Sequence, residues 1–144
     1  MHKKITNIFS ILAAAALIAV LFSACSSTTT DFSALLKTPS DYNGKVVTVD
    51  AFYFENSNIS ILAGALTNPP SSKDMVPAPP NIWLSGALPQ SVQSQLHPQT
   101  ATPSGDIEHY AKIRVTGTFQ YGGTYGYSNG YTSQIVISSA VYIS

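Results

Sequence analysis

From Lys112 to Gln120 the chain keeps a strict two-residue period: Ile113, Val115, Gly117 and Phe119 alternate with Lys112, Arg114, Thr116, Thr118 and Gln120. A helix cannot gather such residues on one side. A strand sends successive side chains to opposite faces, so this segment reads as a strand with one face in a core. Slipping its pairing by one residue would expose the whole apolar row, so burial fixes the register. The rest of the chain must supply a sheet that covers that face.

Other segments carry the same period. After Lys45, the residues Val47, Val49 and Ala51 alternate with Thr48 and Asp50, and Phe52, Tyr53 and Phe54 then follow without a break. This predicts a long, bent first strand that is buried on both sides near its end or carries a bulge. Residues 59–66 predict a second strand and Ile82-Trp83-Leu84 a short third. The last strand places Ile135, Ile137, Val141 and Ile143 on one face. Between strands, Asp31 is a natural N-cap for a short helix over 31–37, with Phe32, Leu35 and Leu36 on one side. Pro39 and Asn43-Gly44 mark a turn. Residues 67–80 contain five prolines and predict a loop, because proline gives no donor to a ladder. Residues 90–96 predict a helix of two turns, and 97–105 another loop.

The first 25 residues are of a different kind. Lys3 and Lys4 precede an uncharged run over 5–24, rich in Ala, Ile, Leu and Val, which closes on Leu21-Phe22-Ser23-Ala24-Cys25. A positive start, an apolar middle and small residues before a cut are the parts of an export signal. About 20 apolar residues also suffice to cross a bilayer as a permanent helix, but here the only cysteine sits where the run stops. That closing segment resembles the lipobox of bacterial lipoproteins. The resemblance implies that 1–24 is a signal peptide and that Cys25 is the lipid-attachment residue, alkylated with diacylglycerol. It further implies that 25–30 is the lipidated cysteine with a Ser/Thr tether, and that 31–144 is the folded domain. The implied location is extracytoplasmic, at the outer face of the cell membrane, or at the outer membrane in a cell with two.

The order strand, strand, strand, short helix, strand, strand is that of an OB-fold, a five-stranded Greek-key barrel. Four segments resemble those of small bacterial OB-fold-like lipoproteins of uncharacterised function. They are Tyr42-Asn43-Gly44-Lys45-Val46-Val47-Thr48-Val49, Ile82-Trp83-Leu84-Ser85-Gly86, Ile113-Arg114-Val115-Thr116-Gly117-Thr118-Phe119 and the Gly122-Gly123-Thr124-Tyr125-Gly126 turn. Ala51 replaces a glycine usual in the first strand of those proteins. The resemblance implies an all-β fold with one or two short helices, built as an OB-fold-like five-stranded Greek-key barrel. It implies little about activity, since one fold hosts many functions.

Residues 25–144 keep five Lys/Arg and all seven Asp/Glu, a formal charge of −2. That is not the basic footprint that nucleic acid or anionic lipid requires, so nucleic acid is not expected as a partner. Asp106, Glu108 and His109, with His97 upstream, offer imidazole and carboxylate together, a usable metal or proton-transfer set. No second ligand pair stands at metal-site spacing, so a solvated loop leading into a strand is the preferred reading, and no cofactor is implied. No Gly-x-Ser-x-Gly, phosphate loop or dinucleotide fingerprint occurs. Residues 121–131 hold four tyrosines and four glycines. In an OB-fold the connection between strands four and five helps to wall the ligand face, so Tyr121, Tyr125, Tyr127 and Tyr131 are the candidate ligand-binding residues. The competing reading gives the glycines to turns and the tyrosines to strand edges. Trp83 carries the same ambiguity between platform and packing. The expectation is a membrane-anchored binding module, not an enzyme, taking a carbohydrate, peptide or protein partner. The alternative is a structural or assembly protein of the envelope; a hydrolytic or metal-dependent enzyme comes last.

Overall fold

The computed structural model describes residues 28–101 and 103–144. Cys25 and the apolar run before it lie outside the described residues. Strands dominate, with a few short helices. In chain order the elements are α1 (Phe32–Lys37), α2 (Pro39–Tyr42), β1 (Val46–Glu55), β2 (Ser60–Ala63), β3 (Leu66–Thr67), β4 (Val76–Pro77), β5 (Asn81–Ser85), α3 (Gln90–Gln93), β6 (His97–Thr100), β7 (Ile107–Tyr125) and β8 (Tyr131–Tyr142). Six strands form one sheet in the order β1-β2-β5-β8-β7-β6, and β1 also pairs with β7. The pairings β1–β2–β5–β8–β7 therefore return to β1. All are antiparallel except β5 with β8, which makes the sheet mixed.

The alternation in the sequence becomes the inner face of this ring of pairings. Val47, Val49, Ala51 and Tyr53 of β1 meet Gly117, Val115, Ile113 and Ala111 of β7, and with Phe119, Leu62, Ile82, Leu84 and Ile135 they are buried. Removing each large apolar side chain from water stabilises the fold by about 1.5–3 kcal/mol. Phe32 and Leu35 of α1, and Leu88 and Val92 at α3, belong to the same core. Asp31 caps α1 as expected, its carboxylate accepting from the Ser33 amide at 3.0 Å and the Ser33 hydroxyl at 2.8 Å. Those two hydrogen bonds, side chain first, hold the Asp31 carboxyl below its ordinary value. Thr30, placed by sequence in the tether, instead bridges to Val49 and donates its amide to Thr48.

The run Phe52-Tyr53-Phe54 is buried on both faces, as its sequence predicts. Tyr53 points with the inner row, while Phe54 lies opposite Ile61 and Phe52 opposite Ala63 on the outer side; Phe54, Ile61 and Ala63 are buried there. The proline-rich connection, for its part, is tied to β6. The Met75 amide donates to Gln99 Oε1 at 2.9 Å, and Gln99 Nε2 donates to the Met75 carbonyl at 2.7 Å.

Several expectations change. The strand predicted over 59–66 ends at Ala63, and after Gly64 the chain begins the two-residue pairing of β3 with β4. The helix predicted over 90–96 is one turn long. The loop predicted over 97–105 contains β6, which pairs with residues 107–110 of β7; Pro98 is tolerated because β6 is an edge strand. Residues 121–125 are not a connection but the end of β7. In β8, Ile135 and Ile137 face inward, yet Val141 is 54% exposed and Ala140 is buried. The cause is a bulge: Thr116 pairs with Ser139 and Gly117 with Ile137. Ser138 is the extra residue, its hydroxyl donating to the Thr116 carbonyl at 2.9 Å. One inserted residue flips the face of everything after it.

Candidate functional site

The end of β7 and the start of β8 form a hairpin whose outermost pair is Tyr125 with Tyr131. Its tip is the 3-10 turn Tyr127–Asn129, in which Ser128 and Asn129 take positive φ. The four candidate tyrosines divide. Tyr121 and Tyr127 are exposed, at 40% and 59%. Tyr125 and Tyr131 are half-buried. Tyr125 lies back along its own strand, where a Cβ on Gly123 would meet its hydroxyl at 2.5 Å. Tyr131 packs on Trp83 with ring centroids 5.3 Å apart, tilted by 45°, and this burial raises its phenol pKa. Trp83 is half-buried, on the side of β5 away from the buried Ile82 and Leu84. The hairpin therefore uses two tyrosines as packing and presents two to solvent.

Tyr121 is the member that reaches a concavity. Its backbone amide donates to Asn43 Oδ1 at 2.9 Å, which pins the hairpin root to the turn after α2. Beside it, Asn81, Thr132 and Ser133, with Leu36 and Pro39, line a cleft of about 210 Å³. Ser133 is buried, and Asn81 Oδ1 is buried with no hydrogen-bond partner among the described residues. No charged side chain lines this cleft. Its volume lies below the roughly 300–1,000 Å³ of a drug-sized site, so it suits one ring-sized unit of a ligand. Of these lining residues, sequence reasoning singles out Tyr121 and passes over Asn81, Thr132 and Ser133. Their only mark in the sequence is polarity at the start of two strands, and their meeting depends on the β5–β8 pairing.

The acidic and imidazole residues do not converge. Glu108 accepts from Gln99 Nε2 at 2.7 Å. His97 packs against Tyr110, with ring centroids 5.7 Å apart. His109 lies opposite Glu55 in the register, with Nδ1 3.5 Å from Oε1, and not beside Asp106. Asp50 forms a two-pronged pair with Arg114, at 2.6 and 2.8 Å, which holds the Asp50 carboxyl below its ordinary value. No group of three or more His, Cys, Asp or Glu placed to hold a metal occurs among the described residues. Nor is any helix among them long and apolar enough to cross a membrane. Comparison of the chain with protein-family models, with curated proteins and with solved structures finds no match.

Proposed function

We propose that the chain is a bacterial lipoprotein, anchored outside the cytoplasm through Cys25, whose OB-like barrel binds an uncharged, hydroxyl-rich ligand of carbohydrate type. The barrel reading is supported by the ring of pairings and by the parallel β5–β8 pair, with a helical turn between β5 and β7. The binding reading rests on one observation: the cleft at the hairpin root joins the exposed ring of Tyr121 to amide and hydroxyl groups without any charge. Sugars offer that surface an apolar ring face for stacking on Tyr121 and many hydroxyls for the polar groups of Asn81, Thr132 and Ser133. An anionic polymer would instead call for lysine and arginine. Tyr127 at the hairpin tip extends the surface toward neighbouring units of a longer ligand. The acids and histidines support a binding role over a catalytic one, since Asp50 and Glu108 are engaged by Arg114 and Gln99.

The test has two arms. Cys25→Ser should release the protein from membranes that retain the wild type through a high-salt wash, because stable anchoring takes more than one acyl chain. Neutral oligosaccharides are then titrated against the full-length protein, with emission from Trp83, the only tryptophan, reporting on the hairpin. Tyr121→Ala should weaken binding at least about fivefold, since stacking on an aromatic contributes about 1–3 kcal/mol per base in single-strand binders. Equal binding by both proteins would remove the cleft from consideration.

One observation favours an assembly role as the second reading. Val46 and Val136, at 70% and 39% exposure, flank Thr118 in one cross-strand row and give β1, β7 and β8 a flat outward apolar strip. Concentration-dependent self-association that Val46→Lys abolishes would support that reading.

A further inference from the structure

At the opposite end from the hairpin, beside α3, β1 finishes in a second concavity that the binding surface above does not use. Tyr53, Glu55, Ser60, Leu88 and Gln93 line it, with Ile59 from the β1–β2 turn, and it encloses about 320 Å³. That is the lower end of the volume of small-molecule sites, about 300–1,000 Å³. The turn is rigid: Asn56 Oδ1 accepts from the amides of Asn58 and Ile59 at 2.9 and 3.1 Å. Asn56 thus spends its acceptor on the backbone and holds Ile59 and Ser60 in place.

The hydrogen bonds in this pocket have a direction. Tyr53 is 3% exposed and donates its hydroxyl proton to Glu55 Oε2 at 2.6 Å. Burial, and then that bond to a carboxylate, push the phenol pKa upward, so the tyrosine stays a donor. Ser60 Oγ lies 3.2 Å from the Tyr53 oxygen. With the phenol proton already given away, Ser60 must donate into Tyr53, which leaves the serine lone pairs as acceptors. Gln93 donates one Nε2 hydrogen to the Leu88 carbonyl at 2.7 Å, and its Oε1 remains available as an acceptor. His109 Nδ1 stands 3.5 Å from Glu55 Oε1, beyond a good hydrogen bond, and that oxygen keeps acceptor capacity. Carboxylate, hydroxyl and amide therefore all present acceptors, and the remaining walls at Ile59 and Leu88 are apolar.

We propose that this pocket is a cation site for a primary alkylammonium group, such as the end of a lysine side chain or of a small amine. An ammonium has three donors and no acceptor, which matches the acceptors that Glu55, Ser60 and Gln93 bring to the pocket lining, and its methylene stem matches Ile59 and Leu88. The Tyr53–Glu55 bond serves as the positioning device that aims the carboxylate.

The experiment uses the full-length protein in detergent micelles, and isothermal titration with n-butylammonium, n-butanol and butyrate as probes. Only n-butylammonium should bind measurably, at least about tenfold tighter than n-butanol, a difference of about 1.4 kcal/mol. Glu55→Gln keeps the shape and removes the charge, and should cost about tenfold or more in affinity; Tyr53→Phe should cost severalfold through loss of carboxylate aim. Tyr121→Ala should change nothing, which separates this site from the hairpin surface. Equal binding of n-butanol and n-butylammonium, full affinity in Glu55→Gln, or no n-butylammonium binding at all would each overturn the proposal. If Glu55→Gln does not fold, the three probes on the wild type and on Ser60→Ala decide the matter, with a weakened ammonium response expected from the serine variant.

Discussion

Gly126 lies where β7 gives way to the hairpin tip, with φ 70° and ψ −167°. That backbone region is essentially reserved for glycine, and another residue held there costs about 1–3 kcal/mol. A side chain would also have nowhere to go. A Cβ at this position would overlap Trp83 Cε3, and would sit 2.5 Å from Trp83 Cδ2 and 2.9 Å from Tyr131 Cδ2. Gly126→Ala must therefore push the indole off Tyr131 and forfeit an aromatic contact of about 0.5–1.5 kcal/mol. Together these give a loss of about 2–4 kcal/mol, or about 8–16 °C in Tm at the roughly 4 °C per kcal/mol expected for a domain of this size. Gly122 provides the control. It also has positive φ, +86°, but a Cβ there meets nothing within 4 Å. Gly122→Ala should bear only the backbone term, about 1–2 kcal/mol, and leave the tryptophan alone. Thermal melts of both variants, read by circular dichroism and by the emission of Trp83, separate the two terms. Emission should shift to the red in Gly126→Ala and not in Gly122→Ala. An unshifted spectrum in Gly126→Ala, with equal melting temperatures for the two, would refute the packing of Trp83 between Gly126 and Tyr131.

Two further expectations follow from the sheet. Val115 has no exposure, so Val115→Asp should abolish the cooperative melt, since an unpaired buried charge costs as much as the 5–15 kcal/mol or so that holds a domain folded; Lys112→Gln, on the outward face of the same strand, should melt like the wild type. For Arg114→Ala the effect should depend on pH. The folded Asp50 carboxyl lies below its ordinary value of 3.8, chiefly through the hydrogen bond from Arg114, so the stabilisation is present above that value and disappears as pH falls through the lower folded one. Because the pair is partly exposed and screened, the wild type should lead by a few degrees at neutral pH, and the lead should shrink as pH falls below the ordinary carboxylate range. A difference that persists in acid would assign Arg114 a packing role instead.

The long strands were legible because their alternate residues enter the core. In 112–120 and 45–54 every second residue meets the core, so period and function coincide. The Asp31 cap was legible for a similar reason, since its partner Ser33 is two residues away. What failed to show depends on partners far along the chain. Tyr121 to Tyr125 read as a loop because glycine and tyrosine suggest turns, yet β8 offers them a ladder. His97 to Thr100 read as a loop because of Pro98, yet β7 supplies an edge. The face of Val141 was misread because Ser138 is inserted into the pairing, and nothing local announces a bulge. At the candidate site, Tyr121 stood out by the Gly/Tyr-rich composition of 121–131 and its place between the last two strands. Asn81 and Ser133 did not, being ordinary polar residues until the fold brings them to one cleft. Glu55 and Tyr53, two apart on one inner row, were hidden by the apolar company of Phe52 and Phe54.

The return of the strand pairings to β1 has a consequence for how copies of this chain tolerate one another. An open sheet offers two rows of unsatisfied amides and carbonyls to any neighbour, and so seeds fibrous stacking. Here β2, β5 and β7 are flanked along their pairings, and β6 lies at the end of the strand order. That edge is four residues long and includes Pro98, while the small β3–β4 pair ends in Pro77. Each proline removes a donor from the row a neighbour would need. On the proposed lipid anchor, molecules would meet often and in similar orientations, a setting in which a long free edge is a hazard. The prolines that look like loop punctuation in the sequence thus also shorten, in the fold, the ladders that β6 and β4 can offer.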